Sequence, residues 1–117
     1  MKYLLDTNVY LDASRSAARR DQFSTTFVPL LPATYLSAVV AYELMVNAAD
    51  RRTRAHVEDF IRPLERTGRV VAPTFGDWME ASALVTTIEL RDRGWRSKLP
   101  ALLNDILIAL CARRIGA

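Results

Sequence analysis

Several residue types that mark common functional sites are scarce in this chain of 117 residues. It has one cysteine, Cys111, so an internal disulfide is impossible, and the apolar neighbours of Cys111 predict a buried, unreactive thiol. It has one histidine, His56, and no cysteine lies at metal-ligand spacing from it, which excludes a zinc motif. A serine-hydrolase triad would likewise have no plausible histidine base. Its four glycines are dispersed, which excludes a P-loop and a dinucleotide-binding fingerprint.

Long hydrophobic runs are also missing. No apolar run approaches the length of a membrane span, and the first one, residues 3–5, is too short for the core of a signal peptide. Hydrophobic residues make up 50% of the chain and charged residues 25%, which is typical of a globular protein and argues against disorder. We therefore expect one cytoplasmic domain over residues 1–117.

The charge balance is mildly basic. The 16 lysines and arginines outnumber the 13 acids, for a net charge of +3 and a pI near 9.4. Only Lys2 and Lys98 are lysines, so most of the excess is arginine, whose planar guanidinium matches the geometry of phosphate. This composition permits an RNA substrate without establishing one.

Three short apolar runs, residues 3–5, 34–36 and 70–72, predict β-strands. Segments with helical patterns separate them. Because strands that alternate with helices form parallel βαβ units, this order predicts an α/β fold in which a parallel sheet is sandwiched by helices. No repeat or linker divides the chain.

Capping and helix-breaking residues mark the expected helix boundaries. Ser37 is placed to cap a helix that runs to about Asp50. Thr74 and Asp77 form a capping box for a long helix that ends near Arg91, and we place Trp78 on the core face of that helix. Four other helices are predicted. One begins near Val9, after Thr7 and Asn8, and a short one lies within the amphipathic stretch 14–32. A third covers residues 57–64, where Pro63 should kink or divide it before Gly68, and the last begins at Pro100, is apolar nearly all round and is therefore expected to be central.

Three carboxylates adjoin apolar runs, where an unpaired charge is costly to bury. Asp6 follows the first strand, Glu43 lies within the run 39–46, and Asp105 opens the run 105–110. The carboxyl ends of parallel strands border one crevice, so we expect the three acids to converge there. Such hard oxygen ligands suit Mg²⁺ or Mn²⁺, which can activate water for phosphodiester cleavage. The alternatives are structural: Asp6 caps the next turn, Glu43 points to solvent, and Asp105 serves the helix dipole.

Polar residues beside these acids have two interpretations each. Thr7 and Asn8 could hydrogen-bond Asp6 or orient metal-bound water, and Asn104 could do the same beside Asp105. Helix capping is the preferred interpretation for Thr7 and Asn104, whereas Asn8 is retained as a candidate site residue. Asp12, one turn beyond Asn8, is expected to be a solvated surface charge.

A basic loop, residues 91–98, surrounds an aromatic side chain with cations. The candidate RNA contacts in it are Arg93, Trp95, Arg96 and Lys98. Cations that hold phosphates beside a ring that stacks a base are typical of single-stranded RNA binding. The preferred alternative is an exposed loop whose tryptophan packs inward.

Three segments in this order, Leu-Asp-Thr-Asn at 5–8, Ser-Ala-Val-Val-Ala-Tyr-Glu-Leu at 37–44 and Asn-Asp-Ile-Leu-Ile-Ala at 104–109, resemble the motifs of the PIN-domain family. More narrowly they resemble the VapC-type toxins of bacterial toxin-antitoxin pairs, and the resemblance spans nearly the whole chain. It implies a Mg²⁺- or Mn²⁺-dependent endoribonuclease that forms a homodimer and is held inactive by a cognate antitoxin. Asp6, Glu43 and Asp105 match the family's metal-site acids, and Asn8 matches the polar residue that supports the first of them.

The family pattern continues past the segment that matches residues 105–115, into a strand, a turn with a further acid, and a last strand. No counterpart of these precedes Ala117. We therefore expect the first strand to have one unpaired edge, covered by another chain or by a segment exchanged between protomers, unless the chain is a fragment of a longer protein. The alternative functions are a non-catalytic PIN-like module that binds RNA or protein, and a metal phosphohydrolase that acts on small substrates.

Overall fold

Three short parallel strands form one sheet in the order β1-β2-β3. In a computed structural model that describes residues 1–117, they are β1 (Tyr3–Leu4), β2 (Thr34–Ser37) and β3 (Val70–Val71). The first half of β2 pairs with β1, where Tyr3 lies opposite Thr34, and its second half pairs with β3, where Leu36 lies opposite Val70. The broad α/β class is confirmed: helices hold 76% of the residues around a small three-stranded parallel sheet.

The outer edge of β1 has no strand beside it. β1 pairs with β2 alone, so the unpaired edge that we expected for the first strand is confirmed. Coverage of that edge by a second chain stays a prediction, and light scattering would distinguish a 13.2 kDa monomer from a dimer.

Helices surround this sheet. The six α-helices are α1 (Thr7–Ala13), α2 (Ala17–Thr26), α3 (Ala38–Asn47), α4 (Arg51–Arg66), α5 (Phe75–Arg91) and α6 (Leu99–Ile115), and two 3₁₀ segments cover Val28–Ala33 and Arg93–Lys98. The hydroxyl of Ser37 accepts a hydrogen bond from the Val39 N–H at 3.1 Å, and the Thr74 and Asp77 capping box is complete. None of the helices combines the length and the apolar character needed to cross a lipid bilayer.

Two of the expected helix boundaries were wrong. α1 begins at Thr7, with Asp6 as its N-cap, and not near Val9. The helix expected to run to Asp50 ends at Asn47, because Asp50 instead accepts the Thr53 N–H at 2.8 Å and caps α4. Several residues near each of these boundaries can cap a helix, and the local sequence does not decide which of them caps it in the folded protein.

Pro63 does not divide α4, which continues through it to Arg66. The N–H that Pro63 lacks leaves only the carbonyl of Asp59 without its helical partner, and Asp59 is exposed, so water can take that place. The next residue, Leu64, is only 3% exposed and belongs to the core, which holds the end of the helix in place. α4 then ends before Gly68, whose φ of 69° favours glycine.

The core forms two clusters of buried side chains. The larger joins the sheet to three helices through Leu36, Val40, Leu44, Leu64 and Ile108, and the smaller consists of Ala81, Leu107 and Leu110. Val39 packs against both. The central position predicted for the last helix is confirmed for the half of α6 that carries Leu107 to Cys111. Cys111 is fully buried as expected, and burial raises the pKa of its thiol.

Trp78 was wrongly placed in the core: 48% of its surface is exposed. Packing of Ala81 against α6 sets the rotational phase of α5, so that Asp77 and Ala81 point inward and Trp78 lies at the rim. Ala81 is fully buried against α6 in the smaller cluster, where the small side chain allows the helices to approach closely. Tyr42 and Trp78 instead line a surface groove of about 300 Å³ between α3, α5 and α6.

Arg114 ties the end of α6 to β3 and α5. Its guanidinium donates to the Ala72 carbonyl at 2.6 Å and to Oδ2 of Asp77 at 3.3 Å. The Thr74 N–H donates to the same Asp77 oxygen at 2.9 Å, and this bond, followed by the bond from Arg114, holds the pKa of Asp77 below its usual value.

Asp77→Asn should therefore destabilise the protein in a pH-dependent way. Because the pKa of a carboxyl such as Asp77 is lower in the folded than in the unfolded protein, its charged form stabilises the fold. This contribution is complete above the unfolded-state pKa of about 4, and it is lost as the pH falls through the lower pKa of the folded state. Urea denaturation from pH 7 down to about pH 2 should show the wild type more stable at neutral pH and the two proteins converging in acid. A stability difference that stays constant with pH would contradict this role of Asp77.

Candidate functional site

Thr7 joins two of the three predicted acids. Its backbone N–H donates to Oδ1 of Asp6 at 2.7 Å, and its hydroxyl donates to Oε1 of Glu43 at 2.9 Å. Thr7 is itself buried, only 5% exposed, whereas Asp6 is exposed and Glu43 half-buried, so each bond joins a buried donor to a carboxylate that solvent can reach. The second bond spans 36 residues of sequence and brings the start of α1 against the middle of α3.

The positions of these acids follow from how each helix leaves the sheet. Asp6 follows β1 and caps α1, so its carboxylate lies at the carboxyl edge of the sheet. α3 starts directly after β2, where Ser37 caps it. The buried residues Val40 and Leu44 fix the rotation of α3, and Glu43 between them faces the start of α1.

No protein cation neutralises the carboxylates of Asp6 and Glu43. Ion pairs with arginine do involve other acids in the chain, namely Asp12, Asp59, Asp77, Glu80 and Glu89. In addition, Oδ2 of Asp6 and Oε2 of Glu43 accept no hydrogen bond from the protein. Two negative groups are thus held together, each with one oxygen open to an external cation or donor.

Asp105 lies on the adjoining helix α6, exposed and without an ion pair or side-chain hydrogen bond. Its neighbour Ile106 and the following Leu107 pack near Val39, one turn before Glu43 on α3. Ile108, one turn after Asp105 on the same face of α6, packs in the larger core cluster beside Val40 and Leu44. The structure therefore places Asp105 on the helix next to α3, but gives it no contact that links it to Asp6 or Glu43.

The side chains of the candidate site have the right ligand atoms for a hard divalent cation but are not gathered around one point. Asp6 and Glu43 offer carboxylate oxygens of the kind that Mg²⁺ and Mn²⁺ prefer. As the side chains stand, no three acidic, histidine or cysteine side chains in the molecule are grouped closely enough to share one metal ion. Metal binding by Asp6, Glu43 and Asp105 stays a prediction, and a Mg²⁺ ion that keeps several waters needs few direct protein ligands.

The two asparagines differ in their surroundings. Asn8 is exposed in the first turn of α1, two residues after Asp6, and its side chain makes no hydrogen bond with the protein. Asn104 is half-buried and lines the groove that also contains Tyr42 and Trp78. Their roles beside the acids stay predictions.

The candidate RNA-contact loop is a 3₁₀ segment at the end of α5. Asp92 caps it, Arg96 pairs with Glu89 at 2.9 Å, and the Lys98 ammonium lies 5.3 Å from the centre of the Trp95 ring. Trp95 is 38% exposed, so the inward packing of the alternative interpretation is incomplete. Arg93 has no ion-pair partner. RNA contact by Arg93, Trp95, Arg96 and Lys98 stays a prediction.

Thr7 is the site residue whose role the sequence did not reveal, because capping was the preferred interpretation. Its position beside Asp6 was visible, but its contact with Glu43 depends on the packing of α1 against α3. His56 is exposed on α4, and Asp12 is half-exposed and paired with Arg15 and Arg19, as expected for surface groups.

Comparisons with known proteins found no relative. No protein-family model matches the chain, and no curated protein or solved structure matches it. Membership of the PIN-domain family stays a prediction from the three motif segments. The distinctive feature of the site is Thr7, which bonds the carboxylate of Asp6 through its backbone N–H and the carboxylate of Glu43 through its hydroxyl, although no protein cation neutralises either acid.

Proposed function

We propose that this protein is a Mg²⁺- or Mn²⁺-dependent endoribonuclease, and that it is the toxin of a type II toxin-antitoxin pair with a PIN fold. The observation that carries the proposal is the Thr7 bridge between Asp6 and Glu43. Like charges held together cost free energy unless a cation offsets the repulsion, and the protein supplies no such cation. Two carboxylates that are bonded to the same residue and have no protein cation support a site that binds an external one.

In this proposal Asp6, Glu43 and Asp105 hold the metal. The ion would supply charge neutralisation for a phosphodiester and acidify a water molecule. Thr7 fixes the separation of Asp6 and Glu43, and the capping role of Asp6 fixes its side-chain rotamer. Asn8, exposed beside Asp6, offers an N–H donor to a phosphate oxygen.

RNA as the substrate is supported by the arginine excess. Several arginines have guanidinium groups without an acidic partner in the structure, including Arg20, Arg51, Arg52, Arg91 and Arg93. Such groups attract a polyanion, and they do so in a salt-dependent way. Cleavage should therefore weaken as the salt concentration rises.

A second candidate function is a non-catalytic module that binds a partner protein. The observation that favours it is the exposed apolar surface around the α3-α5-α6 groove: Tyr42 is 64% exposed, Phe75 80% and Met79 53%. Clustered exposed aromatics are typical of protein interfaces. The same surface is compatible with a toxin that is covered by its antitoxin.

A cleavage assay separates the candidates. The purified protein would be incubated with labelled RNA in Mn²⁺, in Mg²⁺ and in EDTA, and in parallel with a small phosphomonoester. RNA cleavage that requires the metal supports the endoribonuclease. Release of phosphate from the small substrate alone would indicate a phosphohydrolase, and RNA or protein binding without turnover would indicate the non-catalytic module.

Thr7→Val should lower cleavage by roughly 10-fold or more while the protein stays folded, because it removes the hydroxyl that holds Glu43 but keeps the volume of the side chain. Thr7→Ser retains the hydroxyl and should recover most of the activity. Thr25→Val is a matched control, since the Thr25 hydroxyl bonds only the Asp21 carbonyl on the surface of α2. Equal rates for Thr7→Val and Thr25→Val would contradict the role of the bridge.

A further inference from the structure

A cavity of about 380 Å³ opens between α1, α3 and α4, one helical turn beyond the two bridged acids. Leu11 on α1 and Ser14, which caps the end of that helix, lie on the same stripe as Thr7; on α3, Asn47 lies one turn after Glu43. Thr7 and Glu43 are hydrogen-bonded, so these two stripes face each other and lead from the acids into the cavity. The distance from the acids to the cavity is one helical turn, ~5.4 Å along the helix axis, which is comparable to the separation of successive phosphates in a nucleic-acid strand.

The interior of the cavity is apolar and aromatic. Leu44, Val57 and Phe60 line it together with Tyr10, whose ring packs against Phe60 with their centroids 5.3 Å apart. The hydroxyl of Tyr10 is buried without a hydrogen-bond partner, the only buried side-chain polar atom of the protein in that state. Burial raises the pKa of Tyr10 to about 12, so this hydroxyl keeps its proton at neutral pH and can donate a hydrogen bond.

The rim of the cavity is cationic. Arg20 lines it without an ion pair, whereas its neighbours Arg15 and Arg19 both bind Asp12, at 3.0 and 3.5 Å. His56 lines the opposite wall on α4.

The first turns of α4 extend this positive surface. They also carry Arg51, Arg52 and Arg54, which outnumber the one acid at that end, Asp50; its carboxylate caps α4 by accepting from the N–H and hydroxyl of Thr53. An apolar interior with a cationic rim is complementary to a nucleotide, which joins a flat base to a phosphate.

From this geometry we infer that the α1-α3-α4 cavity binds one nucleotide of a single-stranded RNA, with the base against Tyr10 and Phe60 and a phosphate on Arg20 and His56. The inference rests on the proposed function, since it extends the path of the RNA from the acids. It makes the cavity a recognition site for a base close to the cleaved bond, separate from the loop at residues 93–98.

Binding can be measured apart from cleavage. Fluorescence anisotropy of labelled homopolymeric RNA decamers in EDTA reports affinity when no metal is present. Arg20→Gln should weaken binding by roughly 10-fold, and Ser14→Tyr, which fills the mouth of the cavity from an exposed position, should weaken it at least as much. Arg62→Gln removes one charge from a surface ion pair elsewhere on α4 and is the matched control, expected to change affinity less than about 2-fold.

The outcomes separate the two proposals. Circular dichroism would first verify that each variant is folded. Equal affinities for Arg20→Gln, Ser14→Tyr and Arg62→Gln, or no RNA binding by the wild type, would overturn the nucleotide site. RNA binding that depends on Arg20 but never leads to cleavage in Mn²⁺ would sustain the site and overturn the nuclease.

A photocrosslink gives an independent readout. RNA that carries thiouridine should crosslink to peptides that contain Tyr10 or Phe60. Crosslinks confined to the loop around Trp95 would place the RNA there and overturn the assignment.

Discussion

Replacing Asp6 with asparagine is expected to lower the rate of RNA cleavage by roughly a hundredfold or more, while the protein stays folded. The change removes the negative charge but keeps the shape of the side chain. Asparagine is as good an N-cap as aspartate, so the Thr7 N–H retains an acceptor and α1 keeps its start. The loss can therefore be assigned to the charge and not to the helix.

Glu43→Gln and Asp105→Asn should have the same effect on cleavage. Asp21→Asn is the matched control, because Asp21 is an exposed acid of α2 that forms no ion pair. Rates would be measured on one RNA in excess Mn²⁺. Wild-type rates in the variants of Asp6 and Asp105 together would refute the assignment of the metal to these acids.

The thermal stability of the same variants tests whether Asp6 and Glu43 are needed to stabilise the fold. Neither carboxylate forms an ion pair with the protein, and the amide of Asn or Gln can still accept the bond from Thr7, so Asp6→Asn or Glu43→Gln should leave the melting temperature unchanged or raise it in EDTA. In the wild type, added Mn²⁺ should raise the melting temperature by mass action, and the Asp6 variant should lose that response. A marked destabilisation of both variants in EDTA would instead identify the acids as structural.

Local signals in the sequence were sufficient for much of the fold. The three strands were placed to within a residue, and Ser37 and Thr74 cap the helices that they were predicted to cap. Each of these signals acts over a few residues, between a side chain and the nearest backbone groups, so the sequence around it determines the outcome.

Features set by tertiary packing were not visible in the sequence. The inward phase of α5 depends on Ala81 against α6, and for this reason Trp78 lies at a rim although its spacing matched a core face. The bond from Thr7 to Glu43 likewise requires α1 and α3 to pack together. The sequence indicated Asp6 and Glu43 as candidates because charges beside apolar runs are unusual, but it could not show which neighbour would join them.

Leu36→Ala is expected to have the largest effect on stability. Leu36 is fully buried in the central strand and packs with Val40, Leu44 and Ile108, so one side chain joins the sheet to α3 and α6. Truncation of such a residue typically costs about 2–5 kcal/mol, a large part of the roughly 5–15 kcal/mol that stabilises a small domain.

The control for Leu36→Ala is Leu90→Ala, the same chemical change on the surface of α5, where the side chain is 78% exposed. It should cost less than about 0.5 kcal/mol. Urea denaturation should show a lower midpoint for Leu36→Ala with an unchanged slope, because the surface exposed on unfolding is nearly the same. Both helices that Leu36 supports pack beside the acids, so cleavage by this variant should be normal well below its unfolding midpoint and disappear with unfolding. Equal midpoints for the two variants would contradict the position of Leu36 at the centre of the core.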